Sequence, residues 1–296
     1  MKILLTGSTG QLGQAIILQK PKDHQILLPK RNELDLSDHL SCKKYIEFNK
    51  PDLIINCGAY TNVDLAEKEK ELCYAINTSA PVTFAKILND YGGNLLQIST
   101  DYVFDGQKNY AYKENDERNP ISQYGYSKAK AEELLEKILK PKNQLIILRT
   151  SWLLSPTGKN FLIKILNLHK TKKEFFVVSD QIGTMSSAFD VANICWQIIG
   201  KWNLVSNNNF INHWSCSGIS SWYDIAINIG DIAQKHKIID SPAILKPIKT
   251  ENYSTPAKRP LFSLLDCEKT SNTLNITRKY WQYELETIIS KIANKK

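Results

Sequence analysis

The sequence predicts an α/β fold, a doubly wound parallel sheet with a smaller α/β lobe toward its C-terminal end. Two observations favour this fold. A short apolar run opens the chain and leads into the glycines Gly7, Gly10 and Gly13. Beyond them, short apolar runs alternate with helical patterns, and continuous apolar runs are typical of parallel strands that are covered on both faces.

The predicted elements follow in order along the chain. Ile3 to Leu5 form a buried strand, and the helix that starts at Gln11 ends at Gln19, before Pro21. Later strands of the first half are predicted at residues 25–28, 53–56, 95–99 and 145–150, and later helices at 79–90 and 124–140. In the second half, short strands at 175–178 and 210–214 mix with helices after Ser186 and Ser220.

The glycine-rich turn separates the first predicted strand from the first helix. Glycines there let the backbone approach a pyrophosphate, whose charge is favoured by the helix N-terminus. An ordinary glycine-rich turn is the alternative, but its place at the first β-to-α crossing favours a Rossmann-type dinucleotide site. We therefore expect a dinucleotide-binding domain at residues 1–150 and a mainly substrate-binding lobe at 151–296, which returns some segments to the first domain.

Charge and cysteine usage narrow the range of partners. The net charge of +8 comes from lysines dispersed over helices and a basic C-terminal tail at 291–296, without the aromatic-basic stripe that grips nucleic acid. We find no run that is apolar enough to cross a membrane and no signal-peptide pattern, so we expect a soluble, cytoplasmic protein without a nucleic-acid or membrane partner. Six cysteines without a Cys-x-x-Cys pair predict reduced, mostly buried thiols and no metal site.

The residues after the second predicted strand bear on the choice of cofactor. A protein that prefers NAD usually places Asp or Glu there, against the 2′-hydroxyl of the ribose. This chain instead has Pro29, Lys30 and Arg31. Because a cation suits a 2′-phosphate, the two basic residues favour NADPH. NADH stays open as a cofactor, since both charges are also typical of a solvated loop.

Tyr124 and Lys128 form a candidate proton-transfer pair. Four residues apart on a helix, they project from one face, so the ammonium is expected to lower the pKa of the phenol. An unperturbed tyrosine, with a pKa of about 10, trades its proton poorly at neutral pH. The alternative is a surface helix that carries the two residues by chance.

Several further runs, taken together with the glycine turn and the Tyr-x-x-x-Lys pair, resemble the dTDP-4-dehydrorhamnose reductase family of the extended short-chain dehydrogenase/reductase superfamily. They span nearly the whole chain. In order they are CGAYTNVD at 57–64, STDYVF at 99–104, RTSW at 149–152, DQIG at 180–183 and RPLFS at 259–263.

The resemblance implies a reaction. The family reduces the C4 ketone of a dTDP-linked 4-keto-6-deoxy sugar to give dTDP-L-rhamnose, a precursor of surface polysaccharide such as lipopolysaccharide O-antigen. By this resemblance Tyr124 is the general acid, Lys128 holds the nicotinamide ribose and lowers the phenol pKa, and Thr100 is the hydroxyl partner of the ketone. The alternative for Thr100 and Asp101 is a capping role at the end of their strand.

The resemblance also implies the remaining contacts. Those expected for the cofactor are Gly7, Gly10, Gln11, Leu12, Gly13, Arg31, Asp35, Leu36, Ala59, Tyr60, Thr61, Tyr124 and Lys128. Those expected for the substrate are Thr100, Asp101, Tyr102 and Trp152. Asp35 has an alternative role in the cap of a helix that begins near Ser37 and Asp38, and Trp152 has one as a core residue. A homodimer stays open.

Two departures from the family pattern stand out. Cys57 and Gly58 replace small alanines, and Thr184-Met185-Ser186-Ser187 lacks a proline that relatives have, which is expected to free the backbone of that loop. A reductase of another nucleotide-linked 4-keto sugar is therefore an alternative function. A regulatory protein resembling the methionine adenosyltransferase β subunit is a second alternative, against which the intact Thr100, Tyr124 and Lys128 set argues.

Overall fold

A six-stranded parallel sheet forms the centre of the protein in this computed structural model, which describes residues 1–294. The last two lysines of the basic tail, and with them the predicted end of the lobe at 296, lie outside the described residues. The strands are β1 Lys2–Thr6, β2 Gln25–Leu27, β3 Leu53–Asn56, β4 Asn94–Thr100, β5 Leu145–Thr150, β6 Leu153–Leu154, β7 Glu174–Val178, β8 Ile182–Gly183, β9 Ser186–Ser187, β10 Ile211–His213, β11 Ser220–Ser221 and β12 Ile244–Ile248.

Helices cover both faces of this sheet. They are α1 Gln11–Leu18, α2 His39–Asn49, α3 Val63–Ala66, α4 Lys70–Tyr74, α5 Ala80–Tyr91, α6 Gln123–Leu139, α7 Phe161–Thr171, α8 Ala188–Gly200, α9 Trp202–Asn208, α10 Trp222–Lys235, α11 Glu268–Leu274 and α12 Trp281–Ala293. In the first half, each predicted strand and helix is confirmed to within one residue at either end. None of the helices in the described part of the chain is long and apolar enough to span a bilayer.

The strand order β10-β5-β4-β3-β1-β2 confirms the doubly wound sheet. Alternate side chains of β1 enter different cores: Ile3 and Leu5 pack with α1 and α8, whereas Leu4 packs with α2 and α5. The chain leaves β1 toward β2 in one direction and continues from β3 in the other, so the switch point lies between β1 and β3. In such sheets the crevice at the switch point, outside the carboxyl ends of the strands, is where ligands bind.

The second half builds a smaller core and also returns to the large sheet. Helices α7, α10 and α12 enclose the smaller core with the parallel pair β7 and β12. Strand β10 pairs with β5, and α8 packs on α1. The predicted return of segments to the first half is thus visible in the topology, while the boundary at residue 150 stays a prediction.

The segment after Gly183 is held in place. Ser186 and Ser187 form β9, which pairs with β6, and the Ser151 hydroxyl donates to the carbonyl of Thr184 at 2.8 Å. Met185 is completely buried. The expectation that the missing proline frees this loop is therefore wrong, because strand pairing and burial fix the backbone there.

The close packing of α1 against the turn after β1 can be tested by replacing Gly13 with alanine. Gly200, a helical glycine with open space around it, is the matched control. A Cβ at Gly13 would lie 2.2 Å from the carbonyl oxygen of Gly7, whereas a Cβ at Gly200 would meet nothing within 4 Å. We expect Gly13→Ala to destabilise the protein by about 1 to 3 kcal/mol, since backbone must move. Gly200→Ala should leave stability unchanged or slightly raised. Thermal unfolding followed by circular dichroism measures both, and equal melting temperatures would contradict the close approach.

Candidate active site

A cleft of 940 Å³ lies at the carboxyl ends of the central strands, and residues of the second half close its other side. Apart from Tyr60, each residue that the sequence predicts for the cofactor or the substrate lines this cleft. These residues come from segments as far apart as Gly7 and Trp152. The fold therefore brings the predicted site residues together at the switch point.

The glycine turn forms one end of the cleft. Gly7 has a φ of +66°, a conformation that L side chains rarely adopt, and a Cβ there would lie 2.7 Å from the amide nitrogen of Gly58. Gly10 caps α1 without a side chain, so nothing on the cap covers the first amides of the helix. This open helix N-terminus, approached by backbone alone, suits a pyrophosphate.

Lys30, Arg31, Asp35 and Leu36 line the cleft beyond the glycine turn. The Arg31 side chain is 80% exposed, and its Nε lies 3.7 Å from Oδ2 of Asp35. Hydrogen bonds from Ser37 to the carboxylate, the largest influence, lower the pKa of Asp35, with Arg31 acting in the same direction. The cap of α2 is formed by Asp38, which accepts from the amide of Leu40, so Asp35 is not the capping residue.

Tyr60 differs from its neighbours Ala59 and Thr61, which line the cleft. Its hydroxyl donates to Glu69 at 2.7 Å, on the outside of the site. Its backbone is held at both ends by the buried Asn77, which accepts from the Tyr60 amide at 2.8 Å and donates to its carbonyl at 3.1 Å. The side chain of Tyr60 therefore points away from the predicted cofactor position.

Asn77 is a site-forming residue that the sequence did not single out. It lies in a π-helical turn at Ala75–Ser79, just before α5, and its amide also donates to the Ser127 hydroxyl of α6 at 3.0 Å. One side chain thus joins the Tyr60 segment to the helix that carries Tyr124. A π-turn of this kind is frequent at functional sites, but its presence depends on tertiary packing rather than on a local sequence signal.

Thr100 is the last residue of β4 and Asp101 follows it, and both are buried. Thr100 caps a short 3-10 turn by accepting from the Tyr102 amide at 3.2 Å, and its hydroxyl donates to Oδ1 of Asp101 at 3.0 Å. Thr100 therefore does cap this turn, as the alternative interpretation of the sequence predicted. Thr100 and Asp101 also line the cleft. Burial raises the pKa of Asp101 to about 6, although the Ser263 and Thr100 hydroxyls partly oppose the rise, and within the described residues its Oδ2 has no partner in hydrogen-bonding geometry.

Tyr124 and Lys128 lie one turn apart on α6 and both line the cleft. The Nζ of Lys128 donates to the carbonyl of Ile98 in β4 at 2.7 Å, and burial lowers the pKa of this ammonium to about 8. The tyrosine differs from the prediction: burial raises the pKa of Tyr124 above its ordinary value, and the neighbouring Thr100 hydroxyl only partly opposes this. The predicted lowering by Lys128 is wrong for this structure, because desolvation dominates the pKa of the phenol and the groups that act on it are Thr100, Asp101 and Cys73.

Aromatic side chains form the wall opposite the sheet. Trp152 stacks on Trp222 with ring centroids 3.9 Å apart. Phe161 also packs against Trp222, and the centroids of these two rings are 4.3 Å apart. Trp152 has a φ of +46°, an unfavourable conformation for a bulky side chain. Gly183 lies beneath it, where a Cβ would come within 2.9 Å of the indole. The half-buried ring therefore both lines the cleft and packs against the smaller core, and Trp222 is a wall residue that the sequence did not reveal.

A polar contact joins the two halves across the cleft. The side-chain amide of Asn160, at the N-terminus of α7, donates to Oε1 of Gln11 at 2.7 Å. Gln11 is the first residue of α1, so the glycine turn and the lobe are tied together beside the predicted pyrophosphate position.

An open parallel sheet, a glycine turn at its switch point and a Tyr-x-x-x-Lys helix beside the cleft define the class of the protein. It is a Rossmann-type member of the extended short-chain dehydrogenase/reductases. More narrowly, the chain belongs to the RmlD substrate-binding-domain family, whose family model matches residues 1–294.

Known relatives match nearly the whole chain. A dTDP-4-dehydrorhamnose reductase of Aggregatibacter actinomycetemcomitans is 37% identical over 97% of this chain and 98% of its own. A crystal structure of a dTDP-4-dehydrorhamnose reductase from Clostridium acetobutylicum is similar with a TM-score of 0.89, 36% identity and 99% coverage of both chains. That of the Bacillus anthracis enzyme in complex with NADP has a TM-score of 0.88 and 30% identity, covering 98% of this chain and 99% of its own.

The buried carboxyl of Asp101 predicts an unusual dependence of stability on pH. Because the folded-state pKa of about 6 exceeds the ordinary 3.8, stability falls as pH rises from about 4 to 6 and stays reduced above that. Asp101→Asn should therefore stabilise the protein at pH 7.5 by about 1 to 3 kcal/mol, a gain that disappears near pH 4. Denaturant unfolding at the two pH values measures it.

Asp105, four residues after Asp101, provides a control because its pKa is shifted in the opposite direction. Hydrogen bonds, among them one from the Tyr112 hydroxyl at 2.6 Å, hold the pKa of Asp105 below its ordinary value despite partial burial. Asp105→Asn should accordingly destabilise the protein at pH 7.5 and lose this effect as pH falls below the ordinary pKa. A destabilising Asp101→Asn at neutral pH would contradict the assignment of an unfavourably buried charge.

Proposed function

We propose that the protein reduces the C4 ketone of dTDP-4-dehydro-6-deoxy-L-mannose to give dTDP-L-rhamnose, with NADPH as the preferred reductant. The observation that carries this proposal is the placement of Thr100, Tyr124 and Lys128 on one cleft whose far end is a glycine turn at a helix N-terminus. The dTDP-4-dehydrorhamnose reductases, which match over nearly the whole chain, support the choice of sugar.

The residues of the cleft fit a nicotinamide dinucleotide. A side chain at Gly7 or Gly13 would collide with backbone, so the tight turn requires glycine at both positions. The turn places the uncapped N-terminus of α1 at the cleft, where it suits a pyrophosphate. Lys30 and Arg31 line the cleft where a 2′-phosphate is expected, and the exposed guanidinium of Arg31, which contacts Asp35 through Nε, keeps its terminal nitrogens for such a phosphate. Ala59 and Thr61 would border the nicotinamide end.

The chain's own residues supply the proton chemistry. When bound, the cofactor supplies a hydride to the ketone carbon. Tyr124 donates the phenolic proton to the ketone oxygen, so that the carbonyl becomes an alcohol. Its raised pKa keeps the phenol protonated beforehand. In this proposal the Lys128 ammonium, one helical turn away, is the positive charge of the cleft lining that would oppose the phenolate left behind. Thr100, beside the phenol, orients the ketone oxygen by hydrogen bonding.

The sugar would lie between β4 and the aromatic wall. Oδ2 of Asp101, which has no hydrogen-bond partner in the part of the chain that the structure describes, is available to accept from a sugar hydroxyl, and Tyr102 also lines the cleft. Trp152 offers a flat apolar face for the sugar or the base. In this proposal the lobe from residue 151 onward binds the substrate, apart from the segments that join the large sheet.

Replacing one phenol on α6 tests the catalytic assignment. We expect Tyr124→Phe to lower kcat by at least about 100-fold, because the proton donor is lost, while NADPH binding is retained. Turnover is followed by NADPH oxidation with dTDP-4-dehydro-6-deoxy-L-mannose, and cofactor binding by fluorescence titration.

The matched control is Tyr126→Phe, on the exposed face of the same helix and outside the cleft lining. It should behave like the wild type. If the wild type and Tyr124→Phe bind cofactor but are equally inert, the enzymatic proposal fails and a regulatory, cofactor-binding role is favoured.

Neutralising two loop cations tests the cofactor preference. We expect the Lys30→Ala, Arg31→Ala double variant to weaken NADPH binding by roughly 10-fold or more, since a charge-assisted contact to the 2′-phosphate is lost. NADH binding should change little. The control is Lys43→Ala, Lys44→Ala, which removes the same net charge from the exposed face of α2. Equal losses for NADPH and NADH would contradict the proposed contact.

A further inference from the structure

Helix α6 carries a third polar residue in line with Tyr124 and Lys128. Glu132 lies one further turn along the helix and is completely buried. Its Oε1 accepts from the Ser99 hydroxyl at 2.5 Å and from Nε of Arg149 at 3.0 Å. Its Oε2 accepts from Nη2 of Arg149 at 2.6 Å and from Arg118 at 3.2 Å. The carboxylate is thus fully engaged by cations and one hydroxyl.

The two strand residues that bind Glu132 are direct partners in the sheet. Ser99 of β4 pairs in register with Arg149 of β5. Each is followed at once by a residue that lines the cleft, Thr100 and Thr150. The Glu132 carboxylate therefore ties α6 to both strands at the point where they enter the site.

Nη1 of Arg149 does not bind Glu132, and its contact with a histidine shows which groups around Glu132 carry charge. Its Nη1 lies 3.2 Å from Nε2 of His213, whose Nδ1 lies 3.1 Å from the carbonyl oxygen of Asp266. Since a guanidinium only donates, Nε2 accepts and Nδ1 carries the proton, so the imidazole is neutral. Burial and then the charge of Arg149 lower the pKa of His213 to about 3. The positive charge beside Glu132 therefore comes from the two arginines.

Among charged groups, Glu132 also has the largest influence on the pKa of Lys128. Burial lowers the pKa of this ammonium to about 8, and the negative charge of Glu132 is the largest influence that opposes the lowering. The other titratable groups that face Lys128 are the thiols Cys57, after β3, and Cys73, on α4. Burial raises the pKa of both thiols, so they are neutral at physiological pH. Of these three groups that act on Lys128, Glu132 is therefore the one that carries a negative charge.

We infer that Glu132 is a positioning residue for the Tyr124 and Lys128 pair: it fixes α6 against β4 and β5 and places a negative charge one turn from the ammonium. The inference rests on the proposed reduction for its kinetic consequences. Stability alone does not explain the network, because a buried ion pair is often replaceable by apolar residues at no loss of stability. Its place at the strand ends that enter the cleft fits positioning.

Glu132→Gln tests the inference, with Glu133→Gln as the matched control. Glu133 is the next residue of α6, and it pairs with Lys130 and Lys137 at the surface. We expect Glu132→Gln to lower kcat by about 10- to 100-fold, as displaced catalytic groups do, with KM for NADPH nearly unchanged. The alkaline limb of the pH profile should move to lower pH. Glu133→Gln should match the wild type in both respects.

A readout that needs no turnover separates this inference from the proposed reaction. The rate of Lys128 acetylation by acetic anhydride, measured against pH by peptide mass spectrometry, reports the ionisation of the ammonium. Its midpoint, near 8 in the wild type, should fall in Glu132→Gln and stay in place in Glu133→Gln. An unchanged midpoint together with unchanged kcat in Glu132→Gln overturns the inference. A wild type that reduces no sugar, while the midpoint still shifts, overturns only the proposed reaction.

Ser99→Ala keeps the test decisive if Glu132→Gln does not fold. This variant removes one hydrogen bond to the carboxylate and leaves both arginines in place. We expect a melting temperature close to that of the wild type and a kcat reduced by several-fold, with partial recovery in Ser99→Thr, which restores the hydroxyl. A folded Ser99→Ala with the kcat of the wild type and the same Lys128 midpoint would contradict positioning through this contact.

Discussion

A row of buried polar side chains crosses the carboxyl ends of the central strands, and the geometry of the cleft depends on it. The row consists of Thr6, Asn56, Gln97, Ser99, Arg149 and His213. Thr6 donates to Asn56 at 2.5 Å, and Asn56 donates to Gln97 at 2.8 Å. Each step follows the register of the paired strands β1, β3 and β4. Because an unpaired polar group is costly to bury, the row allows only this register.

The apolar residues of the same strands impose a weaker constraint. Leucine and isoleucine alternate toward two cores, and a slip by two residues would return similar side chains to the same faces. The polar row excludes such a slip, since its partners would separate. Glu132 extends this constraint from the sheet to α6. Its buried carboxylate binds Ser99 of β4 and Arg149 of β5, and so fixes the helix that carries Tyr124 against the ends of both strands. Placement of the cleft therefore depends on a few specific contacts within a largely interchangeable apolar core.

How much of this the sequence predicts depends on the range of the interactions. The six strands of the central sheet, α1 and the glycine turn were predictable because short apolar runs and local turn residues determine them, whereas the two-residue strands of the second half and β12 were not predicted. Asn77 and Trp222 were not, since each acts on residues more than a dozen positions away. The pKa of Tyr124 was predicted with the wrong sign because helical spacing shows the neighbouring ammonium but not the depth of burial. The segment after Gly183 was misjudged for the same reason, because its pairing with β6 is long-range.

Two features of the cleft lower the stability of the folded protein. Among residues 1–294, Asp101 buries a carboxylate oxygen without a partner in hydrogen-bonding geometry, and Trp152 holds a left-handed backbone conformation, each at a cost on the order of 1 to 3 kcal/mol. Packing does not explain the Asp101 oxygen, since the apolar cores lie on the two faces of the sheet and beneath the lobe, whereas Trp152 also packs against the lobe core. Both residues follow strand ends that the polar row fixes. The rigid sheet thus tolerates strain at the positions where a ligand would supply the missing contacts, and this distribution of strain favours a binding site over a structural role.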